Sequence, residues 1–286
     1  MAIPTDRSAI WFVTGTSHGV GLGLVKQLLE RGDCVAATTR SSVRLLAALG
    51  DRVDTSRLCP LTVDLRNETQ VKQAVQETVE RFDDLDVVVN NAGYGFLAAI
   101  EKTSARDVRD MLDVQVVGVW NVLRAALPVL HTQRSGHVVN VSSVLGLTAV
   151  PAWGLYCAGK FALEGLSEAL AAEVADFGID VTIVEPGCFR TGFLSQSSLA
   201  VPADATEQYP GIRQMVDNYL KLQGNQLADP LVGAAAIIDR VVAGKSPLRQ
   251  VLGSDSHAYA TAKVRALLAN LAATAGTAPA TDFPAA

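Results

Sequence analysis

Seven short apolar runs recur along the chain and predict the strands of a single sheet. Each run is nearly continuous in Val, Ile and Leu instead of alternating with polar residues, which is typical of parallel strands buried on both faces. Stretches with apolar residues at helical spacing lie between the strands. The runs are Ala9–Thr14, Cys34–Thr38, Arg57–Val63, Asp86–Asn90, His137–Val141, Asp180–Val184 and Leu248–Leu252.

The alternation of strands and helices predicts an α/β fold with a doubly wound parallel sheet of about seven strands. Right-handed crossovers then place helices on both faces of that sheet. A length of 286 residues allows one large domain or two small ones, and we interpret residues 1–286 as one domain. The helical patterns include Gly21–Arg31, Glu68–Arg81, Ser104–Leu130 and Leu155–Phe177.

The last third of the chain predicts a lid and a tail. Gln196–Gly211 is polar and contains proline, and Gln214–Leu222 has a helical pattern, so we interpret residues 192–225 as a mobile lid. Ala262–Ala273 predicts an Ala/Leu helix. The Pro- and Ala-rich residues from about 274 onward are expected to be flexible.

Charge and composition exclude several classes of partner. A formal net charge of -5, with acidic and basic residues interspersed, provides no positive field that would hold nucleic acid or an anionic membrane. Met1–Arg7 has no apolar signal-peptide core, and apolar stretches end before bilayer-spanning length, so a soluble, cytoplasmic protein without membrane partners is expected. Four dispersed cysteines and scattered histidines predict reduced thiols and no metal site.

A glycine-rich turn follows the first predicted strand and opens the first helix. Its sequence is Thr14-Gly15-Thr16-Ser17-His18-Gly19-Val20-Gly21. Glycines let the backbone turn tightly and approach a pyrophosphate, whose charge then faces the free N–H groups and the positive dipole end of the helix. The spacing differs from the commoner dinucleotide fingerprint, so a tight βα loop without a ligand remains the alternative. We assign no role to His18.

Polar residues also follow the third and fourth strands, at the sheet edge where open α/β folds bind ligands. The fourth strand ends in Asn90-Asn91-Ala92-Gly93, where an asparagine can brace the neighbouring strand or loop. Asp64, after the third strand, can accept a hydrogen bond from an adenine amino group. It can equally cap the helix that begins near Asn67, and both interpretations remain open.

A Ser, Tyr and Lys set points to acid–base chemistry. Ser143 ends the fifth strand, and Tyr156 and Lys160 share a face at the start of a long helix. A phenol titrates near pH ~10, but a neighbouring ammonium and the helix dipole both stabilise the phenolate, so we expect a lowered pKa. Tyr156 can then exchange a proton with a carbonyl or alcohol oxygen that Ser143 holds. A solvated helix face is the alternative for Tyr156 and Lys160 alone.

Taken in order, these motifs make the chain similar to the short-chain dehydrogenase/reductase family from about Ala9 to Thr191. The last of them is Pro186-Gly187-Cys188-Phe189-Arg190-Thr191. The resemblance implies a Rossmann-type domain and an oxidoreductase that interconverts an alcohol and a carbonyl compound with a nicotinamide cofactor. It implies that Ser143, Tyr156 and Lys160 are catalytic, that Lys160 also holds the nicotinamide ribose, and that Thr191 meets the carboxamide.

The same resemblance implies a set of cofactor-binding residues along the sheet edge. Besides Tyr156 and Lys160 they are Gly15, Thr16, Ser17, Gly19, Val20, Gly21, Arg40, Asp64, Leu65, Asn91, Ala92, Gly93, Pro186, Gly187 and Thr191. No recognition motif identifies the substrate, which we expect to be a small, apolar carbonyl or alcohol. Four apolar residues near the inferred pocket form either its wall or ordinary core: Leu145, Trp153, Phe193 and Leu194.

One position departs from the family pattern. Gln115 stands where the family usually has a catalytic asparagine, so the amide lies one methylene farther out and the family's proton path through water is in question. We interpret Gln115 as a tolerated substitute that keeps the catalytic role, because its amide has the same donors and acceptor. The alternatives are an NAD(P)-binding sensor or scaffold with little turnover, and an epimerase or dehydratase on the same fold.

Arg40 predicts the form of the cofactor. At the end of the second strand, Thr39 and Arg40 lie about where NAD-dependent enzymes carry an acid that grips the ribose 2′-hydroxyl. Arg40 can instead pair with a 2′-phosphate, which predicts a preference for NADP(H) over NAD(H). An exposed arginine without a ligand is the alternative.

Two non-polar stripes on the helix after Tyr156 predict a homodimer or homotetramer, since one can face the sheet and the other a partner helix. Burial of both stripes within one domain is the alternative. The small stripe is Ala158, Ala162, Gly165, Ala169 and Ala172, and the bulky stripe is Leu163, Leu166, Leu170 and Val174.

Overall fold

Strands and helices alternate through the computed structural model, which describes residues 3–4, 6–50, 54–244 and 247–283. The strands are β1 (Ile10–Thr14), β2 (Cys34–Thr39), β3 (Leu58–Thr62), β4 (Val87–Asn90), β5 (Gly95–Phe96), β6 (Gly136–Val141), β7 (Ile179–Pro186), β8 (Leu199–Ala200) and β9 (Arg249–Leu252). The helices are α1 (Gly19–Glu30), α2 (Ser42–Leu49), α3 (Glu68–Phe82), α4 (Ala105–Leu112), α5 (Gly118–Gln133), α6 (Gly154–Val174), α7 (Pro210–Lys221), α8 (Pro230–Ala243) and α9 (Ser254–Thr274).

Seven strands form one parallel sheet in the order β3-β2-β1-β4-β6-β7-β9. The strand order reverses between β1 and β4, which is the point where doubly wound sheets bind ligands. All seven predicted strands are present, with ends within two residues of the prediction. The short pair β5 and β8 forms a separate parallel ladder that the apolar pattern did not predict, since two residues produce no period.

Two apolar layers cover the faces of this sheet, and each contains its own set of helices. On one face, α3, α5 and α6 bury residues such as Val75, Val122 and Leu163 against the strands. On the other face, α1, α2 and α8 do the same through residues such as Leu24 and Ile237. The predicted doubly wound architecture is therefore confirmed.

The predicted helix Ser104–Leu130 is interrupted in the structure. Between α4 and α5 the backbone widens into a π-helical segment, Asp113–Val117. The continuous stretch Ala105–Gln133 is long and apolar enough to cross a membrane by length and composition alone. Its α5 part packs into the core through residues such as Val122, Ala126 and Leu130, which accounts for its apolar character.

The C-terminal third is more regular than the sequence predicted. Residues 192–225 contain β8 and α7, and α7 begins at Pro210, four residues before the predicted helix, because proline suits the first turn. The last helix, α9, begins at Ser254 instead of near Ala262. In the tail predicted to be flexible, Ala278–Thr281 forms a 3-10 turn.

A chain of buried hydrogen bonds ties β4, β6 and α6 together beneath the ligand edge. The Asn90 amide donates to Asn140 Oδ1 (2.8 Å), and the Asn140 amide donates to Ser167 Oγ (2.8 Å). Asn140 and Ser167 are fully buried. Since a buried polar group without a partner is destabilising, this chain fixes the spacing of the elements that carry the residues of the ligand edge.

We predict that Asn140→Ala lowers the free energy of unfolding by about 2–3 kcal/mol, because it leaves the buried Asn90 amide without an acceptor and removes the amide that donates to Ser167 Oγ. Urea unfolding measures the loss. Asn270→Ala, at an exposed position on α9, is the matched control and should change stability by less than about 0.5 kcal/mol. A loss below about 1 kcal/mol for Asn140→Ala would contradict the structural role of the chain.

Candidate active site

A cleft of about 610 Å³ runs along the carboxyl edge of the sheet, across the point where the strand order reverses, with residues of the 192–225 segment in its lining. It brings together most of the residues that the sequence predicted. Of the predicted set, these line it: Gly15, Ser17, Gly19, Val20, Gly21, Arg40, Asp64, Leu65, Asn91, Ala92, Gly93, Ser143, Tyr156, Lys160, Pro186, Gly187 and Thr191. Thr16 and Gln115 do not: the buried Thr16 hydroxyl donates to the Thr38 carbonyl oxygen (3.1 Å), and the Gln115 side chain is buried as well.

The glycine turn is shaped by close backbone approach. Gly15 has a φ of +72°, and a Cβ added there would lie 2.7 Å from Ala92 Cα. A Cβ on Gly21 would lie 2.3 Å from the Gly15 carbonyl oxygen. Asn91 Nδ2 donates to the carbonyl oxygens of Thr14 (2.9 Å) and Gly15 (3.0 Å), so the predicted bracing by asparagine is present. Larger residues at either glycine would displace the turn.

The residues at this turn fit a dinucleotide. Helix α1 begins at Gly19 with neither a side-chain cap nor an acidic residue in its first turn, which leaves its N–H groups available to an anion. The exposed Arg40 lies at the same end of the cleft and forms no ion pair with any residue that the structure describes. This end of the cleft can therefore hold phosphate groups.

Asp64 does not cap helix α3, which was one of its two interpretations. Asn67 caps α3, since its side chain accepts the Gln70 N–H. Asp64 instead forms an ion pair with Arg66 (2.8 Å), and hydrogen bonds from Arg66 hold the pKa of its carboxyl below the ordinary value. The capping interpretation is wrong, whereas the position of Asp64 in the cleft is compatible with the adenine interpretation.

The Tyr and Lys pair lies at the start of α6, as predicted. Tyr156 is in the first turn of the helix and Lys160 one turn later, and both are buried. Lys160 Nζ donates to the Val141 carbonyl oxygen (2.8 Å) and lies 5.7 Å from the centroid of the Tyr156 ring. Ser143, two residues after the end of β6, is also buried, and its hydroxyl lies near the phenol. The three side chains are assembled for proton exchange at one point.

The expected lowering of the Tyr156 pKa is wrong for this structure. Burial raises the pKa of Tyr156, and the hydrogen bond with Ser143 acts only partly against it. Burial also lowers the pKa of Lys160 to about 8, while the charge of Glu164 acts in the opposite direction. At neutral pH the phenol is therefore protonated and the amine mostly charged, which is the state required to donate a proton to a carbonyl oxygen.

Gln115 fits into the site with the help of its neighbours. It lies in the π-helical segment, is 1% exposed, and donates from Nε2 to the Tyr94 carbonyl oxygen (2.9 Å). A Cβ on Gly159 would lie 2.7 Å from Gln115 Oε1, so the missing side chain at Gly159 accommodates the longer arm. Lys160 Nζ and the Gln115 amide both lie within 4 Å of the position that a Cβ on Gly93 would occupy.

Aromatic side chains form the wall beside Tyr156. The Trp153 and Phe193 rings each meet the Tyr156 ring edge-on, at centroid distances of 5.3 and 5.7 Å. Tyr219 of α7 meets Trp153 at 5.2 Å. Leu145 and Leu194 also line the cleft, so all four apolar residues singled out in the sequence belong to its wall. They pack together as well, and both interpretations of them therefore hold.

Asp255 and Ser198 line the cleft but belong to no motif, and the sequence analysis missed them. Asp255, in the first turn of α9, accepts the Cys188 N–H (2.7 Å) and so ties the turn after β7 to the C-terminal helix. Burial, with Asp255 nearby, raises the pKa of the Cys188 thiol to about 11, which keeps it protonated. His18 Nε2 and Ser198 Oγ, in the 192–225 segment, form a hydrogen bond (2.7 Å). Only the tertiary structure brings these residues together.

The four cysteines are unbonded, and no group of three potential metal ligands occurs among the residues described. Cys157 is buried, whereas Cys34, Cys59 and Cys188 are half-buried. His137 is buried against Thr182 (2.8 Å), and burial lowers its pKa to about 4. Cys157 adjoins Tyr156 on α6 and Cys188 lines the cleft, whereas His137 is not among the cleft-lining residues.

Comparison with known proteins finds relatives that are dehydrogenases and reductases. The sequence pattern described as short chain dehydrogenase matches residues 9–201. The chain is 36% identical over 251 residues to oxidoreductase BOA17 of Botryotinia fuckeliana, covering 88% of this chain and 91% of that protein. It is 34% identical over 245 residues to 3-ketodihydrosphingosine reductase of Bacteroides thetaiotaomicron, covering 83% of this chain and 85% of that one. A short-chain dehydrogenase structure from Streptomyces avermitilis superposes with a TM-score of 0.83 at 33% identity, covering 98% of this chain and 100% of that chain.

Proposed function

Since the chain belongs to the short-chain dehydrogenase family, we propose that it interconverts an alcohol and an apolar ketone or aldehyde with NADP(H), with Tyr156 as general acid and base. The chain is an oxidoreductase that acts on CH–OH or carbonyl groups with NAD(P), as its relatives are. One observation supports this reaction and the role of Tyr156. Ser143, Tyr156 and Lys160 are buried together in one cleft, beside a glycine turn that can hold an anion.

Tyr156 supplies the proton in the reductive direction. The protonated phenol donates to the carbonyl oxygen, which Ser143 holds by a hydrogen bond, and Lys160 stabilises the phenolate that forms. The nicotinamide ring, when bound, exchanges the hydride. Gly15, Gly21 and Asn91 shape the turn that would receive its pyrophosphate, and Lys160 and Thr191, which line the same cleft, would hold its ribose and carboxamide. Gln115 then takes the asparagine's role beside Lys160.

The walls of the cleft favour a neutral, apolar substrate. Most charged residues that line it lie at the Arg40 end, together with Asp64 and Arg66. Around Tyr156 the wall is aromatic and aliphatic instead, through Trp153 and Phe193. A carboxylate or phosphate on the substrate would lose its hydration there without a cationic partner other than Lys160. One relative is named for the ketone 3-ketodihydrosphingosine, which supports a ketone as substrate.

Two further proposals concern cofactor choice and assembly. The Arg40 guanidinium, which has no ion-pair partner among the described residues, supports NADP(H) as the preferred cofactor. Helix α6 supports a homodimer or homotetramer. Its bulky stripe packs into the protein's own core, whereas its small-residue stripe is exposed and has open space beside Gly165, so a partner helix can pack there. A cytoplasmic location remains a prediction from the sequence.

We predict that Tyr156→Phe lowers turnover of the best neutral ketone by about a hundredfold or more, because it removes the transferable proton. NADPH affinity, read by fluorescence titration, should change little because the ring volume is kept. Cys157→Ala, at the next buried position of α6 outside the cleft lining, is the control and should remain active. Retention of more than about a tenth of the wild-type rate by Tyr156→Phe would exclude the proposed acid–base role.

Arg40→Ala should reduce catalytic efficiency with NADPH by about tenfold or more and leave that with NADH unchanged, since a charge-assisted hydrogen bond is worth about 1.5–3 kcal/mol. Steady-state kinetics with both cofactors measure the split. Arg44→Ala, on the exposed face of α2 and outside the cleft lining, provides the matched loss of charge and should alter neither value. Equal efficiency with NADH and NADPH in the wild type would contradict the assignment.

Gly165→Arg should convert the oligomer into monomers, because the new side chain has open space in its own chain but would collide with a partner helix. Light scattering at micromolar concentration gives the mass. Glu80→Arg, an exposed position on α3, is the control for added positive charge. A monomeric mass for the wild type would show that the stripe is not an interface.

A further inference from the structure

A buried carboxylate lies one helical turn beyond the catalytic lysine. Glu164 follows Lys160 at i+4 on the same face of α6 and is 5% exposed. It carries charge into a region from which charged groups are normally excluded, because desolvation of an ion is costly. A Glu at this position therefore needs an electrostatic partner.

Few other groups face the Lys160 ammonium. On its own helix there are Tyr156 and Glu164, and from β6 there is the Val141 carbonyl oxygen. The loop after β4 and the π-helical segment contribute Gly93 and the neutral Gln115 amide. Among the residues that the structure describes, Glu164 is the group whose negative charge acts on Lys160.

Arg249 holds Glu164 in place from the edge strand β9. Its guanidinium forms ion pairs with Glu164 and Glu168 on α6 and with the fully buried Glu185 on β7 (2.5 Å). Burial raises the pKa of Glu185. One guanidinium thus serves three carboxylates, so it orients the Glu164 side chain without neutralising the whole cluster.

The second oxygen of Glu164 points toward the turn that carries the catalytic serine. A Cβ on Gly146 would lie 2.9 Å from Glu164 Oε1 and 2.6 Å from Ser142 Oγ. Neither atom has a hydrogen-bond partner among the described residues, and both are buried. Gly146 closes the 3-10 turn that follows Ser143. The carboxylate is therefore buried beside the Ser143 turn, one helical turn beyond Lys160, where its charge is weakly screened.

We propose that Glu164, oriented by Arg249, is a positioning residue that keeps the Lys160 ammonium charged in the working enzyme. The proposal rests on the proposed function, since a charged Lys160 matters only where Tyr156 acts as acid and base. Burial alone lowers the Lys160 pKa toward neutrality, and the carboxylate limits that fall. Loss of the Glu164 charge should lower the Lys160 pKa further, because the charged form loses its stabilising neighbour.

The test reads the protonation of Lys160 directly. Protein labelled with [6-13C]lysine is titrated by NMR without cofactor, and Lys160→Arg identifies the signal. The wild-type midpoint should lie near pH 8. Glu164→Gln should lower it by about one unit, a tenfold loss of proton affinity. Glu168→Gln, which removes a carboxylate from the same Arg249 at an exposed position, should move it by less than about a third of that.

Kinetics provide the second readout. In Glu164→Gln, the alkaline fall of kcat for ketone reduction should begin at a pH lower by the same amount, with KM largely kept. Arg249→Gln is the second variant. Its amide can still donate to the Glu164 carboxylate and keep it oriented, so the loss of the positive charge beside Glu164 should raise the Lys160 midpoint. Opposite shifts in the two variants cannot come from a loosened fold.

If Glu164→Gln leaves the titration midpoint of Lys160 unchanged, the proposal is overturned. If Glu164→Gln does not fold, Arg249→Gln decides, and a Lys160 midpoint that stays or falls in that variant overturns the proposal. The NMR titration needs no substrate. Failure of the proposed function would appear separately, as absence of turnover in a wild type whose Lys160 titrates as expected.

Discussion

A single ammonium group buried beneath Tyr156 is the constraint on which the candidate active site depends. Lys160 is 5% exposed, and the Val141 carbonyl oxygen holds it at 2.8 Å. Burial of a cation is unfavourable unless opposing charge and acceptors surround it. The neighbouring features can be understood from this requirement: the carboxylate of Glu164 one turn farther along α6, whose charge acts on the ammonium, and the Gln115 amide beside Gly93.

The scaffold gives this site its precision through polar contacts between elements. Asn140 joins β4 and α6 beneath the ligand edge, and Asn91 braces the glycine turn against the end of β4. Asp255 anchors the turn after β7 from the far end of the chain. Because each contact crosses between elements that are distant in sequence, the glycine turn, the catalytic helix and the cofactor edge are held as one unit.

The strands and the catalytic set were predictable because their patterns are local: buried parallel strands are apolar runs, and Tyr156 and Lys160 share a helix face by spacing alone. Spacing says nothing about burial, so the predicted direction of the Tyr156 pKa shift was wrong. It also could not show that Gly159 makes room for Gln115. Asp255 was not predictable, because it reaches the cleft only through the tertiary fold.

The most direct test of the central claim is hydride transfer itself. Wild-type protein is incubated with NADPH carrying deuterium at C4 of the nicotinamide, in its two stereoisomers, and with a panel of neutral apolar ketones. Mass spectrometry of the alcohols should show deuterium at the carbinol carbon with one stereoisomer and not the other. NADPH binding without labelled alcohol from any ketone, with turnover appearing only in Gln115→Asn, would contradict a working oxidoreductase and support the sensor alternative.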